Sequence, residues 1–200
     1  MKYENKSARF WDEKYLSKNT GWDLGGTTPI FKKISKVIPV GKICILGCGK
    51  GYDAVMFAEQ GFKVTAVDFS REAIKSLVRL KNKSSENLKI LQENIFNLDK
   101  EFFEYFDYVI EQTCFCAIHP TQRLDYVSIV KNITKRNGKL IGLWFPLDKK
   151  ISEGGPPYGT SVEEVKSYFS KHFQVEEEEF SKLSVSPRIN REKLIIFKKL

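Results

Sequence analysis

Three glycines and one aspartate are the residues whose types and spacing most directly suggest chemistry. Gly47, Gly49 and Gly51 follow a short apolar run at 42–46, and Asp68 ends a second apolar run farther along the chain. Glycine has no Cβ, so a ligand can approach its backbone closely. A carboxylate at the end of the second strand can accept hydrogen bonds from both hydroxyls of a ribose. The pattern therefore predicts a site for a nucleoside.

The spacing of the glycines distinguishes between two kinds of nucleoside ligand. A dinucleotide fingerprint reads G-x-G-x-x-G, and its sixth position is Tyr52 in this chain. The form found here, G-x-G-x-G well inside the chain, better fits an S-adenosylmethionine site. We therefore predict that this cofactor binds at the loop and at the end of the second strand, a group that comprises Gly47, Cys48, Gly49, Asp68 and Phe69.

A further candidate contact lies at the end of the third predicted strand. Asn94 and Ile95 fall where adenine is usually held in a sheet of this kind. An ordinary loop that contributes Ile95 and Phe96 to the core is the alternative interpretation.

An aromatic group precedes the first strand. Trp11, Tyr15 and Trp22 lie among charged and polar neighbours, with few of the aliphatic residues that a buried helix or strand would carry. S-adenosylmethionine carries a sulfonium cation, and aromatic faces attract cations. We therefore predict that residues 1–29 form a segment that covers the cofactor. Packing of the two indoles against the edge of the domain is the alternative.

Strand and helix patterns alternate along the rest of the chain. We predict helices after the glycine loop, after Ser70, from Pro120 to about 135, and after Ser161, which has capping-box spacing with Glu164. Strands are predicted at 42–46, 62–68, 87–94, 106–112, 138–145, 173–180 and 193–199, the last two as an antiparallel pair. The alternation predicts a doubly wound, Rossmann-like α/β fold. We expect one domain over residues 1–200, with its core at 30–200.

Composition narrows the class of protein. The net charge is +8, but the lysines are dispersed rather than gathered into a stripe, which does not predict nucleic-acid binding. No apolar run reaches the length of a membrane span, and the N-terminus has no apolar secretory signal. The four cysteines lack C-x-x-C spacing, so we predict reduced thiols and no metal site. We therefore expect a cytoplasmic protein.

Several stretches in order along the chain resemble one known family. They are FWDEKYLSKNTGWDLGGTTPI, ILGCGKGYDA, VTAVDFS, EQTCFCAIHPTQR and WFPLDKKISEGGPPY. Together they are similar to the thiopurine S-methyltransferase family and, within it, to the branch of halide and thiol methyltransferases. Most methyltransferases have an acid two residues before the first loop glycine; here the residue is Ile45, and this family likewise tends to lack the acid.

The resemblance implies a seven-stranded sheet with a reversed last strand, and S-adenosylmethionine as the methyl donor, with S-adenosylhomocysteine as the product. It also implies individual roles. The residues that match aromatic residues of the cofactor pocket are Trp11, Tyr15 and Trp22. Gly47 and Gly49 match the loop that contacts the amino-acid end of the cofactor, and Asp68 matches the ribose ligand. Asn94 and Ile95 match the pair on the adenine side. Gln112 stands where a plant relative has Tyr.

On the acceptor side, the resemblance implies a pocket after the fourth and fifth strands. The residues expected to line it are Phe115, Cys116, Arg123, Tyr126 and Tyr158. Arg123 either attracts an anionic acceptor or forms a structural ion pair. His119 is a candidate base, and capping of the helix at Pro120 is its alternative role. His119 and Arg123 are thus the catalytic candidates, and no catalytic residue is assigned.

The expected activity is methyl transfer to a small soft nucleophile: a thiol, sulfide or halide. Such an acceptor attacks as an anion and needs no base. The alternatives are a nitrogen or oxygen methyltransferase with His119 or Glu111 as base, a nicotinamide-dependent oxidoreductase, a nucleic-acid methyltransferase, and a cofactor-binding protein without activity. We expect a monomer that acts on a small molecule, with no nucleic-acid or membrane partner.

Overall fold

Residues 7–81 and 86–200 are described by the structure, which is a computed structural model. The chain divides into two compact units, one that ends at Ile95 and one that begins at Phe96.

Three parallel strands form the sheet of the first unit. They are β1 (Lys42–Leu46), β2 (Lys63–Asp68) and β3 (Leu88–Gln92), with β2 between the other two. Four residues of β1 and five of β2 are buried, which accounts for their continuous apolar character. The register places Leu46 beside Val67 and Asp68 beside Gln92, so all three strands end at the same edge. The helices of this unit are α1 (Ala8–Leu16), α2 (Pro29–Ile34), α3 (Tyr52–Glu59) and α4 (Arg71–Leu80).

The third glycine of the loop is required by the packing of α3 and α4. Gly51 has a φ of +79°, and a Cβ at this position would lie 2.1 Å from Cδ1 of the buried Leu77. No side chain larger than hydrogen therefore fits where α4 meets the start of α3. As predicted, α4 itself begins after Ser70, whose hydroxyl accepts the N–H of Ala73 at 3.2 Å.

The second unit contains four strands and three helices. The helices are α5 (Asp99–Phe102), α6 (Arg123–Ile133) and α7 (Val162–Phe169). The strands are β4 (Phe106–Gln112), β5 (Thr134–Trp144), β6 (Phe173–Glu179) and β7 (Lys193–Lys199). β4 and β5 are parallel, whereas β7 runs antiparallel to both β5 and β6.

Aromatic side chains fill the core of this unit. Phe169 of α7 lies 5.2 Å from Phe197 and 5.7 Å from Phe173, measured between ring centroids. Trp144, at the end of β5, contacts both Phe169 and Phe197 at 5.5 and 6.0 Å. These contacts join α7 to the strands β5, β6 and β7.

The seven-stranded sheet has the order β3-β2-β1-β4-β5-β7-β6. The doubly wound fold with an antiparallel last strand is therefore confirmed. Ser161 also caps α7 as predicted, because its hydroxyl accepts the N–H of Glu164 at 3.1 Å.

Some predicted boundaries are wrong. Pro120 begins a single 3-10 turn, and α6 starts at Arg123 and ends at Ile133. β5 begins at Thr134 rather than Gly138, and its pairing with β4 has a register irregularity near Phe106. Within the described ranges, no helix has the length and apolar character that crossing a membrane requires.

Candidate functional site

Asp68 is the buried carboxylate at the end of β2. Its Oδ2 accepts the N–H of Gly49 and its Oδ1 accepts the N–H of Ser70, both at 2.9 Å. Burial raises the pKa of Asp68 to about 6, against the lowering effect of these hydrogen bonds, and the charge of Asp12 adds to the rise. A carboxylate has about four acceptor positions, and the backbone of Phe69 also hydrogen-bonds to Asp68, so acceptor capacity remains for a hydroxyl donor.

The glycine loop lies directly beside this carboxylate. The N–H of Cys48 donates to the carbonyl of Val67 at 2.9 Å, which ties the loop to β2. Gly49 has a φ of +55°, and a Cβ at this position would be 3.1 Å from the hydroxyl of Tyr15. Because any larger residue would be both strained and crowded, the chain keeps an open backbone surface next to Asp68.

The aromatic residues of the N-terminal segment form one cluster. Trp22 is its centre: its ring lies edge-on to Trp11 at 5.3 Å and to Tyr15 at 5.7 Å. Burial raises the pKa of the Tyr15 hydroxyl well above its usual value, and the charge of Asp68 contributes to the rise. The cluster therefore lies within electrostatic range of the carboxylate at the end of β2.

Three polar contacts fasten the N-terminal segment around the glycine loop. Asp12 accepts the hydroxyl of Ser70 at 2.6 Å and the N–H of Glu72 at 3.1 Å. Lys50, within the loop, pairs with Asp23 at 2.5 Å. The third contact joins Thr28 to Asp53 in the first turn of α3. Sequence reasoning missed all three, since pairs this far apart leave no local pattern.

The remaining predicted cofactor residues occupy two places. Ile95 is buried in a 3-10 turn just after β3, and the N–H of Asn94 donates to Glu93 at 2.7 Å. The N–H of Glu93 donates to the carbonyl of Asp68 at 3.1 Å, which places this turn beside the end of β2. Gly47 is exposed and Phe69 half-buried, whereas Gln112 belongs to the second unit, at the end of β4.

Glu111 is a buried carboxylate at the end of β4. Its Oε1 accepts the N–H groups of Cys114 and Phe115 at 3.0 and 2.9 Å, and its Oε2 accepts the hydroxyl of Tyr126. Burial raises the pKa of Glu111 to about 7, while these hydrogen bonds lower it. Glu111 thus holds the loop after β4, which begins at Thr113 with a φ of +59°. Tyr126, a predicted acceptor residue, is fully buried on α6.

Phe115 and Cys116, which the sequence assigns to the acceptor pocket, are both buried in this loop. The Phe115 ring contacts Tyr126 and Trp144 at centroid distances of 5.6 and 5.3 Å. Burial and the charge of Glu111 raise the pKa of the Cys116 thiol to about 12. Cys116 therefore remains protonated at neutral pH, in keeping with a packing role.

Arg123 is fully buried and joins several elements. Its Nη1 pairs with Glu164 of α7 and its Nη2 donates to the carbonyl of Gly159, both at 2.9 Å. The guanidinium carbon lies 4.5 Å from the centroid of Phe115. Of the two interpretations of Arg123, the structural ion pair is therefore present, while its binding of an acceptor stays a prediction.

His119 and Tyr158 lie together at the start of the 3-10 turn. His119 Nδ1 accepts the N–H of Thr121 at 3.3 Å and lies 2.9 Å from the Thr121 hydroxyl, so His119 caps the turn. Its ring is 5.5 Å from that of Tyr158. The N–H of Tyr158 donates to the carbonyl of Cys116 at 2.7 Å, which joins the two predicted walls of the acceptor pocket.

Among residues 7–81 and 86–200, no three His, Cys, Asp or Glu side chains are grouped so that they could hold an ion. All four cysteines are free thiols, and burial raises the pKa of Cys44 and Cys48 above the usual value.

The strand order, the reversed last strand and the carboxylate beside a glycine loop define a Rossmann-like fold of the kind found in S-adenosylmethionine-dependent methyltransferases. A solved structure of the same fold is Burkholderia thailandensis 1,6-didemethyltoxoflavin-N1-methyltransferase with bound 1,6-didemethyltoxoflavin and S-adenosylhomocysteine. Its TM-score is 0.78 at 17% identity, over 96% of this chain and 86% of that chain.

The sequence comparisons give the family. The sequence profile "Thiopurine S-methyltransferase (TPMT)" matches residues 6–198, and the chain belongs to this family. It is 33% identical to "Probable thiol methyltransferase 2" of Arabidopsis thaliana, over 98% of this chain and 87% of the relative. It is 28% identical to "Thiocyanate methyltransferase 1" of Brassica oleracea, over 95% of this chain and 84% of the relative.

Proposed function

We propose that this S-adenosylmethionine-dependent methyltransferase transfers a methyl group to a small soft nucleophile, namely a thiol, sulfide or halide. The observation that carries the proposal is the 33% identity, over nearly the whole chain, to a relative named as a probable thiol methyltransferase. A second relative named as a thiocyanate methyltransferase supports a small anionic acceptor.

The residues of the first unit fit this cofactor. Asp68 has acceptor capacity left for ribose hydroxyls, and it lies beside a loop whose backbone a Cβ at Gly49 would cover. The nearby cluster of Trp11, Tyr15 and Trp22 offers aromatic faces to a sulfonium. We assign the ribose to Asp68, the amino-acid end to Gly47, Cys48 and Gly49, and the adenine side to Asn94 and Ile95, with Phe69 and Gln112 as further contacts.

When bound, S-adenosylmethionine supplies an electrophilic methyl group on a positively charged sulfur. The chain's own residues contribute positioning and exclusion of water, which together account for several kcal/mol of a transfer barrier. The aromatic cluster of the N-terminal segment shields the sulfonium from water without hydrogen bonding to it. Asp68 fixes the ribose, and so sets where the reactive end of the cofactor lies.

The candidate bases near the expected acceptor favour an acceptor that is already an anion. Both candidate bases are already engaged: Glu111 accepts three hydrogen bonds, and His119 Nδ1 caps the turn at Thr121. A thiolate, hydrosulfide or halide needs no base, whereas an alcohol or amine usually does. We assign Phe115, Cys116, Tyr126 and Tyr158 to the walls of the acceptor pocket, with Arg123 as the residue that holds the walls together.

One observation favours a second function, methyl transfer to nitrogen or oxygen with Glu111 as base: burial raises the pKa of Glu111 to about 7, which suits proton transfer near neutral pH. An assay separates the two. Purified protein is incubated with S-adenosylmethionine and one acceptor, either a soft nucleophile (sulfide, methanethiol, an aromatic thiol, thiocyanate, iodide or bromide) or an amine or alcohol, and S-adenosylhomocysteine is measured. Turnover of these acceptors that persists in Glu111→Gln supports the proposal. Turnover restricted to amines or alcohols and lost in Glu111→Gln contradicts it.

We also propose a single domain that acts as a cytoplasmic monomer on a small molecule, without a nucleic-acid or membrane partner. The dispersed lysines support the lack of a nucleic-acid partner. Light scattering after size-exclusion chromatography tests the oligomeric state, and a mass of about 46 kDa, twice that of the 23.1 kDa chain, contradicts the monomer.

A further inference from the structure

Asp12 makes the contact through which helix α1 reaches the N-terminus of α4. One oxygen, Oδ1, accepts both the hydroxyl of Ser70 at 2.6 Å and the N–H of Glu72 at 3.1 Å. The N–H of Glu72 is one of the helix-terminal donors that have no partner within the helix. Asp12 therefore acts as a second cap on α4, supplied by a helix that is distant in sequence.

Ser70 links this contact to the cofactor carboxylate. Its N–H donates to Asp68 at 2.9 Å, its hydroxyl donates to Asp12, and its oxygen accepts the N–H of Ala73 at 3.2 Å. Ser70 is fully buried, so its position is fixed by these contacts. One residue thus bridges the carboxylate assigned to the ribose and the carboxylate that anchors α1.

The aromatic cluster is placed by the same helix. Trp11 and Tyr15 are one turn apart on α1. Trp11 directly precedes Asp12, and Tyr15 follows it three residues later. No residue of α1 is fully buried, and its aromatic side chains are half-buried, so apolar packing alone does not fix the helix in place. Its position depends on polar contacts and on ring contacts with Trp22.

We propose that Asp12 is a positioning residue for cofactor binding: by docking α1 on Ser70 and Glu72, it holds Trp11 and Tyr15 over the S-adenosylmethionine whose ribose Asp68 binds. The inference rests on the proposed role of the N-terminal segment. It assigns to Asp12 no contact with the cofactor. Loss of Asp12 should therefore weaken binding of the cofactor and leave binding of the acceptor unchanged.

Three variants test the proposal: Asp12→Ala, Asp12→Asn and the control Glu13→Ala, which alters an exposed neighbour whose side chain pairs with the exposed Arg9. Titration calorimetry measures the Kd of S-adenosylhomocysteine. We expect Asp12→Ala to weaken binding about tenfold. Asp12→Asn should restore it to within about twofold, because Asn Oδ1 can accept both hydrogen bonds. Glu13→Ala should match the wild type.

Steady-state kinetics provide the second measurement. We expect Asp12→Ala to raise KM for S-adenosylmethionine about tenfold and to leave KM for the acceptor nearly unchanged. The melting temperature of the free protein should fall by a few degrees, because the buried Ser70 hydroxyl loses its acceptor. Equal affinity in Asp12→Ala and wild type overturns the inference, as does an equal loss in Glu13→Ala. If wild-type protein itself fails to bind S-adenosylhomocysteine, the proposed function fails instead, so the two outcomes are distinguishable.

Discussion

Thr28 donates two hydrogen bonds to the carboxylate of Asp53: its N–H to Oδ1 and its hydroxyl to Oδ2, each at 2.8 Å. Thr28 occupies the cap position of α2, yet its side chain makes no capping hydrogen bond there and reaches α3 instead. Because Asp53 is in the first turn of α3, the pair fastens the end of the N-terminal segment next to the glycine loop.

Replacement of Asp53 by Ala should destabilise the free protein. Thr28 is 2% exposed, so its N–H and hydroxyl would lose their partner in a place with little access to water. An unsatisfied buried donor costs about 1–3 kcal/mol. We expect a lower melting temperature and a lower urea midpoint for Asp53→Ala, and values near wild type for Asp53→Asn, whose amide can accept the N–H and donate to the hydroxyl oxygen. Identical curves for Asp53→Ala and wild type would contradict the role of this pair.

Replacement of Trp22 by Ala should act on cofactor binding more than on stability. Trp22 is half-buried and contacts both Trp11 and Tyr15, so its loss removes the centre of the cluster. We expect the Kd of S-adenosylhomocysteine to rise by at least about tenfold for Trp22→Ala, and somewhat less for Trp11→Ala, while the melting temperature of the free protein falls by only a few degrees. Trp11→Phe, which keeps an aromatic face, serves as the control. If stability and affinity fall in parallel, the indoles serve packing alone.

The sequence predicts best those parts of the fold that depend on local pattern. The strands β1 and β4 and the caps of α4 and α7 lie where they were expected, because continuous apolar runs and capping hydroxyls are local signals. The extension of β5 back to Thr134 was missed, since the preceding helix was predicted to run to about 135 and the strand to begin at Gly138. There the backbone continues as a strand although its side chains are polar.

Contacts between residues far apart in the sequence limit how much of the site can be predicted. The glycine loop, Asp68 and the aromatic cluster were found from residue type and spacing, and the structure places them together. The hydrogen bond between Ser70 and Asp12 was not predicted, nor was Glu164 predicted as the partner of Arg123. In each pair the residues are more than forty positions apart, and no local pattern specifies how their elements pack. From the sequence alone, a charged residue in a polar stretch is expected to be exposed to solvent.

Cofactor affinity should depend on the ionisation of Asp68. Its pKa is raised to about 6, chiefly by burial, so the carboxylate is ionised above that pH and protonated below it. Ribose hydroxyls donate best to the ionised form. We therefore expect the affinity for S-adenosylhomocysteine to be constant above about pH 7 and to fall as pH decreases through about 6, by up to about tenfold per pH unit. Calorimetry between pH 5 and 8 measures this. Asp68→Asn should bind weakly at every pH, and a flat wild-type profile would argue against the assignment.

Glu111 should make the free protein less stable at higher pH. Burial raises its pKa in the folded protein to about 7, above the value of about 4.5 that applies in an unfolded chain. For a carboxyl whose pKa is raised on folding, the stabilising contribution is complete below the unfolded value and is lost as pH rises through the folded value. The loss attributable to Glu111 is on the order of 3 kcal/mol between pH 4 and pH 8.

Glu111→Gln isolates this contribution. Gln Oε1 can still accept the N–H groups of Cys114 and Phe115, and its amide can donate to the Tyr126 oxygen, so the loop keeps its support without a charge. We expect the variant to be more stable than wild type at pH 8 and to lose this advantage at pH 5, as measured by urea unfolding at both values. Tyr126→Phe should widen the difference between the two pH values, because the Tyr126 hydroxyl lowers the pKa of Glu111 and its loss raises that pKa further. A difference between wild type and Glu111→Gln that is the same at pH 5 and pH 8 would mean that Glu111 stays ionised throughout, and that its hydrogen bonds outweigh its burial.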